Sequence, residues 1–270
     1  MLKQRLMTAF ILIPIVLAII FYLPPVPFLL LTSLIAIIGA YEWSRLMEVE
    51  KKSYRFCYVF FIILCLVITV FLPAMTIFAF AFLFWSLASL FVILYPKRNT
   101  WWSRGYLKRG LMGALVLAPC WGAINYIHSQ TGGAYGLLFL FVLIWGADSI
   151  AYFVGKKWGK TKLAPLVSPG KSVQGMLGAL AYAVILPLLL LWLLKTPGTI
   201  WFWASLLSVV TVLFSIMGDL FESMMKREVG LKDSGQILPG HGGLLDRIDS
   251  LTAAAPIFTL GGILLGIYLH

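Results

Sequence analysis

Nine separate runs of mostly apolar residues, each close to the length that crosses a bilayer, dominate this sequence. They fall near residues 6–23, 26–47, 56–72, 74–95, 108–128, 134–154, 173–194, 199–221 and 250–269. Pro24/Pro25/Pro27, Pro73, Pro96, Gly132-Gly133 and Pro197-Gly198 break the chain between most of them. A spanning helix needs roughly 20 such residues, and a backbone without water around it must satisfy its own hydrogen bonds, which a helix does. Charged residues make up 11% of the 270, against about 25% in a soluble domain. That is too little charge to coat a water-facing globule. The expected fold is therefore all-α: a polytopic integral membrane protein of about nine transmembrane helices. Residues 1–133 would supply about five spans. Residues 134–270 would supply about four, with loops at 155–172 and 222–249.

Charge then sets the orientation. Lys3 and Arg5 precede the first run as in a secretory signal. The run ends in Leu23-Pro24-Pro25-Val26-Pro27 and not in a small-residue cleavage site, so it reads as an uncleaved first span. With these two residues on the cytoplasmic side, alternate loops place 20 of the 21 lysines and arginines there, and only Lys195 falls outside. Such an asymmetry predicts a cytoplasmic N-terminus and an external C-terminus. The net charge of +11 belongs to these short clusters and not to a nucleic-acid module, so no nucleic-acid partner is expected. The clusters suit anionic lipid headgroups and phosphorylated substrates. Cys57, Cys65 and Cys120 lie in or beside apolar runs, without metal-ligand spacing, and read as small buried hydrophobes.

The chemistry-bearing residues collect where the eighth run ends. In Gly218-Asp219-Leu220-Phe221-Glu222-Ser223-Met224-Met225-Lys226-Arg227, a continued helix puts Asp219, Glu222, Ser223 and Lys226 on one stripe. Part of this has a plain structural explanation, an i,i+4 salt bridge between Glu222 and Lys226. Asp219 has no such excuse at a membrane boundary, where a charge is costly. The loop beyond carries Lys232-Asp233-Ser234-Gly235 and Pro239-Gly240-His241-Gly242-Gly243. Its glycines allow close approach to a ligand and expose N–H groups to phosphate oxygens, although an ordinary turn would look the same. His241 could act as acid, base or loop-orienting donor. Asp246 and Asp249 follow, one turn apart around Arg247. One could cap the ninth helix; two leave something over. Magnesium takes oxygen ligands, commonly one or two carboxylates plus substrate phosphates. Asp219 and Asp246 could hold it, with Lys226, Lys232 and Arg247 neutralising phosphate, which is what phosphoryl or nucleotidyl transfer requires.

A second cluster lies earlier. Asp148, in Trp145-Gly146-Ala147-Asp148-Ser149, is ionisable inside an apolar run, a functional signal whose plainer explanation is interhelical pairing. Ser168-Pro169-Gly170-Lys171-Ser172 imitates the tail of a P-loop. Pro165 stands where the earlier glycine belongs and no strand is expected before it, so a P-loop fold is excluded. Lys171 and Ser172 remain an anion site at the start of the seventh helix.

These residues resemble the bacterial type of phosphatidate cytidylyltransferase (CDP-diacylglycerol synthase). The family signature runs Ser-x-apolar-Lys-Arg, four residues, Lys-Asp-x-small, and later His-Gly-Gly-apolar-x-Asp-Arg-apolar-Asp. Here it reads Ser223-Met224-Met225-Lys226-Arg227, Lys232-Asp233-Ser234-Gly235 and His241-Gly242-Gly243-Leu244-Leu245-Asp246-Arg247-Ile248-Asp249, without departure. The resemblance implies transfer of the cytidylyl group of CTP to phosphatidic acid, giving CDP-diacylglycerol and pyrophosphate. It implies Mg2+ on Asp219 and Asp246, with Asp249 beside them. Ser223, Lys226, Lys232 and Arg247 would contact the triphosphate or lipid phosphate, and Arg227, Ser172 and His241 join that substrate-binding set. Lys171 and Asp148 would complete the pocket. The nucleophile is already an anionic phosphate, so a base role for His241 is unnecessary. A homodimer, an apolar acyl-chain cleft and residence in a bacterial cytoplasmic (inner) membrane are also implied. The rivals are another CTP-dependent membrane lipid or polyprenol kinase or transferase, a transporter, and a structural or chaperone-like membrane protein, which would not need both carboxylates. The transporter gains no support from internal repeats.

Overall fold

The computed structural model describes residues 13–95, 105–235 and 242–267. Nine α-helices stand among them. The first is α1 (Ile13–Tyr22). It is followed by α2 (Pro25–Leu46), α3 (Lys52–Phe71), α4 (Ala74–Leu94), α5 (Tyr106–Ser129), α6 (Gly133–Trp158), α7 (Val173–Leu193), α8 (Trp201–Glu228) and α9 (Leu245–Leu264). Breakers foreseen in the sequence mark the joints. Pro25 opens α2, where a missing N–H costs nothing, and Pro73 stands directly before α4. Gly132 takes a left-handed φ of 71° to launch α6.

Among the described residues, α2 to α8 are long and apolar enough to cross a membrane. The chain is thus a multi-pass membrane protein. Phe56, Phe60, Leu64, Val67 and Phe71 lie exposed along α3 at helical spacing, as a lipid-facing stripe. Helix α9 is less apolar because Asp246, Arg247 and Asp249 stand in its opening turns, and its middle, Ser250–Leu260, is buried continuously by other helices. A helix walled in by protein needs no greasy face.

Helix α6 lies along α7 and α8 along α9. From the first half of the chain, α4 and α5 pack on that second pair, while α2 bridges α3 and α5. Inside lipid, helices associate through close packing more than through apolar burial, which favours small residues at crossings. Gly218 illustrates this: a Cβ there would stand 2.8 Å from the Asp249 carbonyl oxygen and 2.9 Å from the Ala253 Cβ. Large side chains fill the rest of the core, with Trp85 edge-on to Phe221 at 5.6 Å and the Trp43 Nε1–H bonded to the Arg109 carbonyl at 2.8 Å.

One local expectation fails. Residues 155–172 read as a loop with no strand before Gly170-Lys171-Ser172. Instead α6 continues to Trp158, and an antiparallel hairpin follows, β1 (Lys162–Ala164) with β2 (Ser168–Ser172). Too short and too rich in lysine to show a strand's alternation, it is held partly from outside. The Gln174 side-chain oxygen accepts the N–H groups of Lys160 and Thr161 at 3.1 and 3.2 Å. Two antiparallel strands do not make a P-loop.

Candidate active site

Helix α8 runs well past its apolar portion, and that extension carries the stripe foreseen from the sequence. Ser223 Oγ donates to Asp219 Oδ1 at 3.2 Å. The Lys226 Nζ lies 3.1 Å from Glu222 Oε1, so the i,i+4 salt bridge exists. The same ammonium reaches across to α9 and lies 2.6 Å from Asp246 Oδ1. A matching pair stands nearby: Lys171, near the end of β2, places Nζ 2.6 Å from Asp219 Oδ2. The two pairs differ in setting. The side chains of Lys226 and Asp246 are 8% and 11% exposed, whereas those of Lys171 and Asp219 are 27% and 25% exposed. The inner pair shapes the site, and the outer one faces solvent.

Asp246 sits in the first turn of α9, ahead of its apolar part. Its Oδ2 accepts the N–H groups of Gly243 at 2.8 Å and Ser234 at 3.0 Å. Burial works to raise this carboxyl, but the Lys226 hydrogen bond and charge, with the two backbone donors, outweigh it. The group is held below the usual carboxylate range. Asp249 accepts the Ser250 N–H at 2.7 Å and lies within electrostatic reach of Asp219, Glu222 and Lys226. Asp148, on α6, meets Ser250 Oγ at 3.5 Å and is in electrostatic reach of Lys171 and Asp219. Four elements, α6, β2, α8 and α9, therefore deliver Asp148, Lys171, Asp219, Ser223, Lys226, Asp246 and Asp249 to one end of the bundle.

Other expected site residues have different surroundings. Ser172 is the N-cap of α7, its Oγ accepting the Gly175 N–H at 3.2 Å. Arg227 directs its guanidinium to the carbonyls of Val167 at 3.4 Å and Leu231 at 3.0 Å, tying the hairpin to the end of α8. Lys232 and Arg247 are exposed beside the site. His241 lies outside the described residues.

The sequence reading passed over Glu42. This α2 carboxylate is 1% exposed and accepts N–H groups at the start of α9, from Leu244 at 3.0 Å and Leu245 at 2.7 Å. An ionisable group inside an apolar run was the available signal. It was read at Asp148 and missed at Glu42.

Over residues 3–263 the chain matches the cytidylyltransferase family. It belongs to that family. It is similar to the phosphatidate cytidylyltransferase of Haemophilus influenzae, at 40% identity over 290 residues covering 96% of this chain and 98% of the relative. The phosphatidate cytidylyltransferase of Pseudomonas aeruginosa is 42% identical over 261 residues, 96% of each chain. That of Staphylococcus haemolyticus is 39% identical over 142 residues, about half of each.

In this cytidylyltransferase-family chain the donor set for a metal is all carboxylate. Among the described residues, no three Asp, Glu, His or Cys side chains form a ready-made cage. Asp219, Glu222, Asp246 and Asp249 instead make a looser set, coupled electrostatically across α8 and α9. Of these, Asp219, Asp246 and Asp249 are the hard oxygen donors that magnesium would take, since it keeps water and phosphate oxygens beside one or two carboxylates.

Proposed function

We propose that this chain transfers the cytidylyl group of CTP to phosphatidic acid at the cytoplasmic edge of the membrane, releasing pyrophosphate. The observation that carries the reading is the juxtaposition of two Lys–Asp pairs, Lys171–Asp219 and Lys226–Asp246, where α8, α9 and β2 meet. In each pair a cation suited to phosphate stands on a carboxylate suited to a metal. The family and the full-length relatives support the same reaction class.

An oxygen of the phosphatidate phosphate forms a bond to the α-phosphorus of CTP while the bond to the β-phosphate oxygen breaks. The nucleophile arrives as an anion, so the protein need not remove a proton from it. Its tasks are positioning and charge neutralisation. Asp219 and Asp246, with Asp249 beside them, would hold Mg2+, which neutralises triphosphate charge and favours pyrophosphate departure. Lys171 and Lys226 exchange part of their carboxylate pairing for phosphate oxygens. Ser223 orients Asp219 and offers a hydroxyl, while exposed Lys232 and Arg247 gather the incoming anion. Arg227 holds the hairpin that carries Lys171.

This reading includes nine spans, with α1 and α9 crossing as well. The N-terminus faces the cytoplasm of a bacterial cell, the C-terminus faces outward, and the inner membrane houses a homodimer. The region from 134 to 270 bears the reacting groups. The decisive experiment supplies the purified protein in detergent micelles with CTP labelled at the α- or the γ-phosphate. Only the α-label should enter lipid. Entry of the γ-label would mean a kinase, and turnover confined to sealed vesicles would mean a transporter.

A further inference from the structure

The strongest unassigned feature is the grip that α2 holds on the start of α9. A buried carboxylate is costly unless it is paired or hydrogen-bonded, so the bonds around Glu42 define its work. Its Oε1 accepts the Leu244 N–H and its Oε2 the Leu245 N–H. Leu244 is the N-cap of α9 and has no polar side chain to satisfy these donors, so another helix supplies the cap. Placing a negative charge there also complements the helix dipole.

The grip has a second contact at Ser234, which is fully buried. Its Oγ donates to Glu42 Oε2 at 3.3 Å. Its carbonyl accepts from Arg45 Nη1 at 2.9 Å. Its N–H donates to Asp246 at 3.0 Å. One serine therefore links α2 to the site carboxylate through consecutive polar atoms. Space is equally committed: a Cβ at Gly235 would stand 2.1 Å from Glu42 Oε1, and one at Gly243 2.7 Å from Oε2. Two glycines of the signature leave room for this carboxylate.

We propose that Glu42, assisted by Arg45, is a positioning residue for the transfer reaction. It fixes the first turn of α9 and Ser234 so that Asp246 meets Lys226 and its metal-binding face stays aligned. The inference rests on the reading of Asp246 as a site carboxylate. Glu42 itself touches neither Lys226 nor Asp246; it acts through Ser234, Leu244 and Leu245.

Glu42→Gln keeps the shape but sets an amide NH2 against backbone donors. A misplacement of about 1 Å can cost roughly 100-fold in rate. The purified variant should therefore show a kcat reduced about 10- to 100-fold, with KM for CTP and phosphatidate unchanged and a raised Mg2+ requirement. Its melting temperature in detergent should stay close to that of the parent. Lower yield and melting temperature with an unchanged kcat per folded molecule would overturn the proposal. Should Glu42→Gln fail to fold, Arg45→Met removes one donor to Ser234 without orphaning the Glu42 carboxylate. It should likewise lower kcat at constant KM, and normal kcat there would overturn the proposal too. Asp246→Asn, assayed in parallel, separates the two readings. An active Asp246→Asn defeats the site assignment, whereas an inactive one beside a fully active Glu42→Gln defeats only the positioning role.

Discussion

Lys171 and Lys226 are each matched to a carboxylate on another element, and the two matches carry different energetic weight. Lys171 and Asp219 are partly solvated, a setting in which an ion pair contributes about 0–1 kcal/mol. Lys226 and Asp246 are nearly buried, and breaking such a pair costs about 3–5 kcal/mol when nothing replaces the lost partner. Here Glu222 remains on Lys226 and softens the loss. Asp219→Asn should thus abolish turnover while melting close to the parent. Asp246→Asn should abolish turnover and melt measurably lower, yet still insert. Assays of lipid product and detergent melting curves on both variants check this, and near-normal activity in either would sink the metal assignment. Asp219, Ser223, Lys226, Asp246 and Asp249 were legible in the sequence because they lie within one segment at helical spacings. Glu42 carried the local signal of an ionisable group inside an apolar run, but its role was not legible, since its partners are 192 to 203 residues away.

At the scale of elements, the site depends on how closely α8 approaches α9. Gly218 precedes Asp219, and the nearest atoms to an added methyl are the Asp249 carbonyl and the Ala253 Cβ, neither of which can swing away as a flexible side chain would. Gly218→Ala should push the two helices apart where their carboxylates face each other, destabilising by about 1–3 kcal/mol and cutting kcat more than about tenfold. Gly198→Ala, with no atom within 4 Å of the new Cβ, should change neither melting temperature nor rate. The helices themselves were readable from hydropathy to within a few residues over their apolar parts. Their polar ends were read unevenly: the continuation of α8 through Lys226 was foreseen from its polar stripe, whereas α6 runs on to Trp158 and α9 begins earlier than its apolar run, at Leu245. Hydropathy scores those charged turns as loop, while backbone hydrogen bonding carries the helix onward into water. The hairpin was missed for a related reason, its two strands being shorter than any pattern that composition can reveal.

For the whole molecule, the distribution of lysine and arginine makes a directional claim that labelling can test. In a cysteine-free background, Lys195→Cys should react with a membrane-impermeant maleimide added to intact cells. Lys232→Cys should react only after permeabilisation. The reverse pattern would invert the orientation and put the site on the wrong side for CTP. The enclosure of α9 has a further consequence, for biogenesis. Of the described helices it is the last to leave the ribosome, yet its middle is walled in by those made before it. The earlier spans therefore enter the bilayer first and leave room among them for α9 to arrive. Only then do Leu244 and Leu245 reach Glu42, and Asp246 reach Lys226. A nascent chain paused before that point has most of its membrane mass in place and no competent site. The site becomes competent only once α9 has been made and seated.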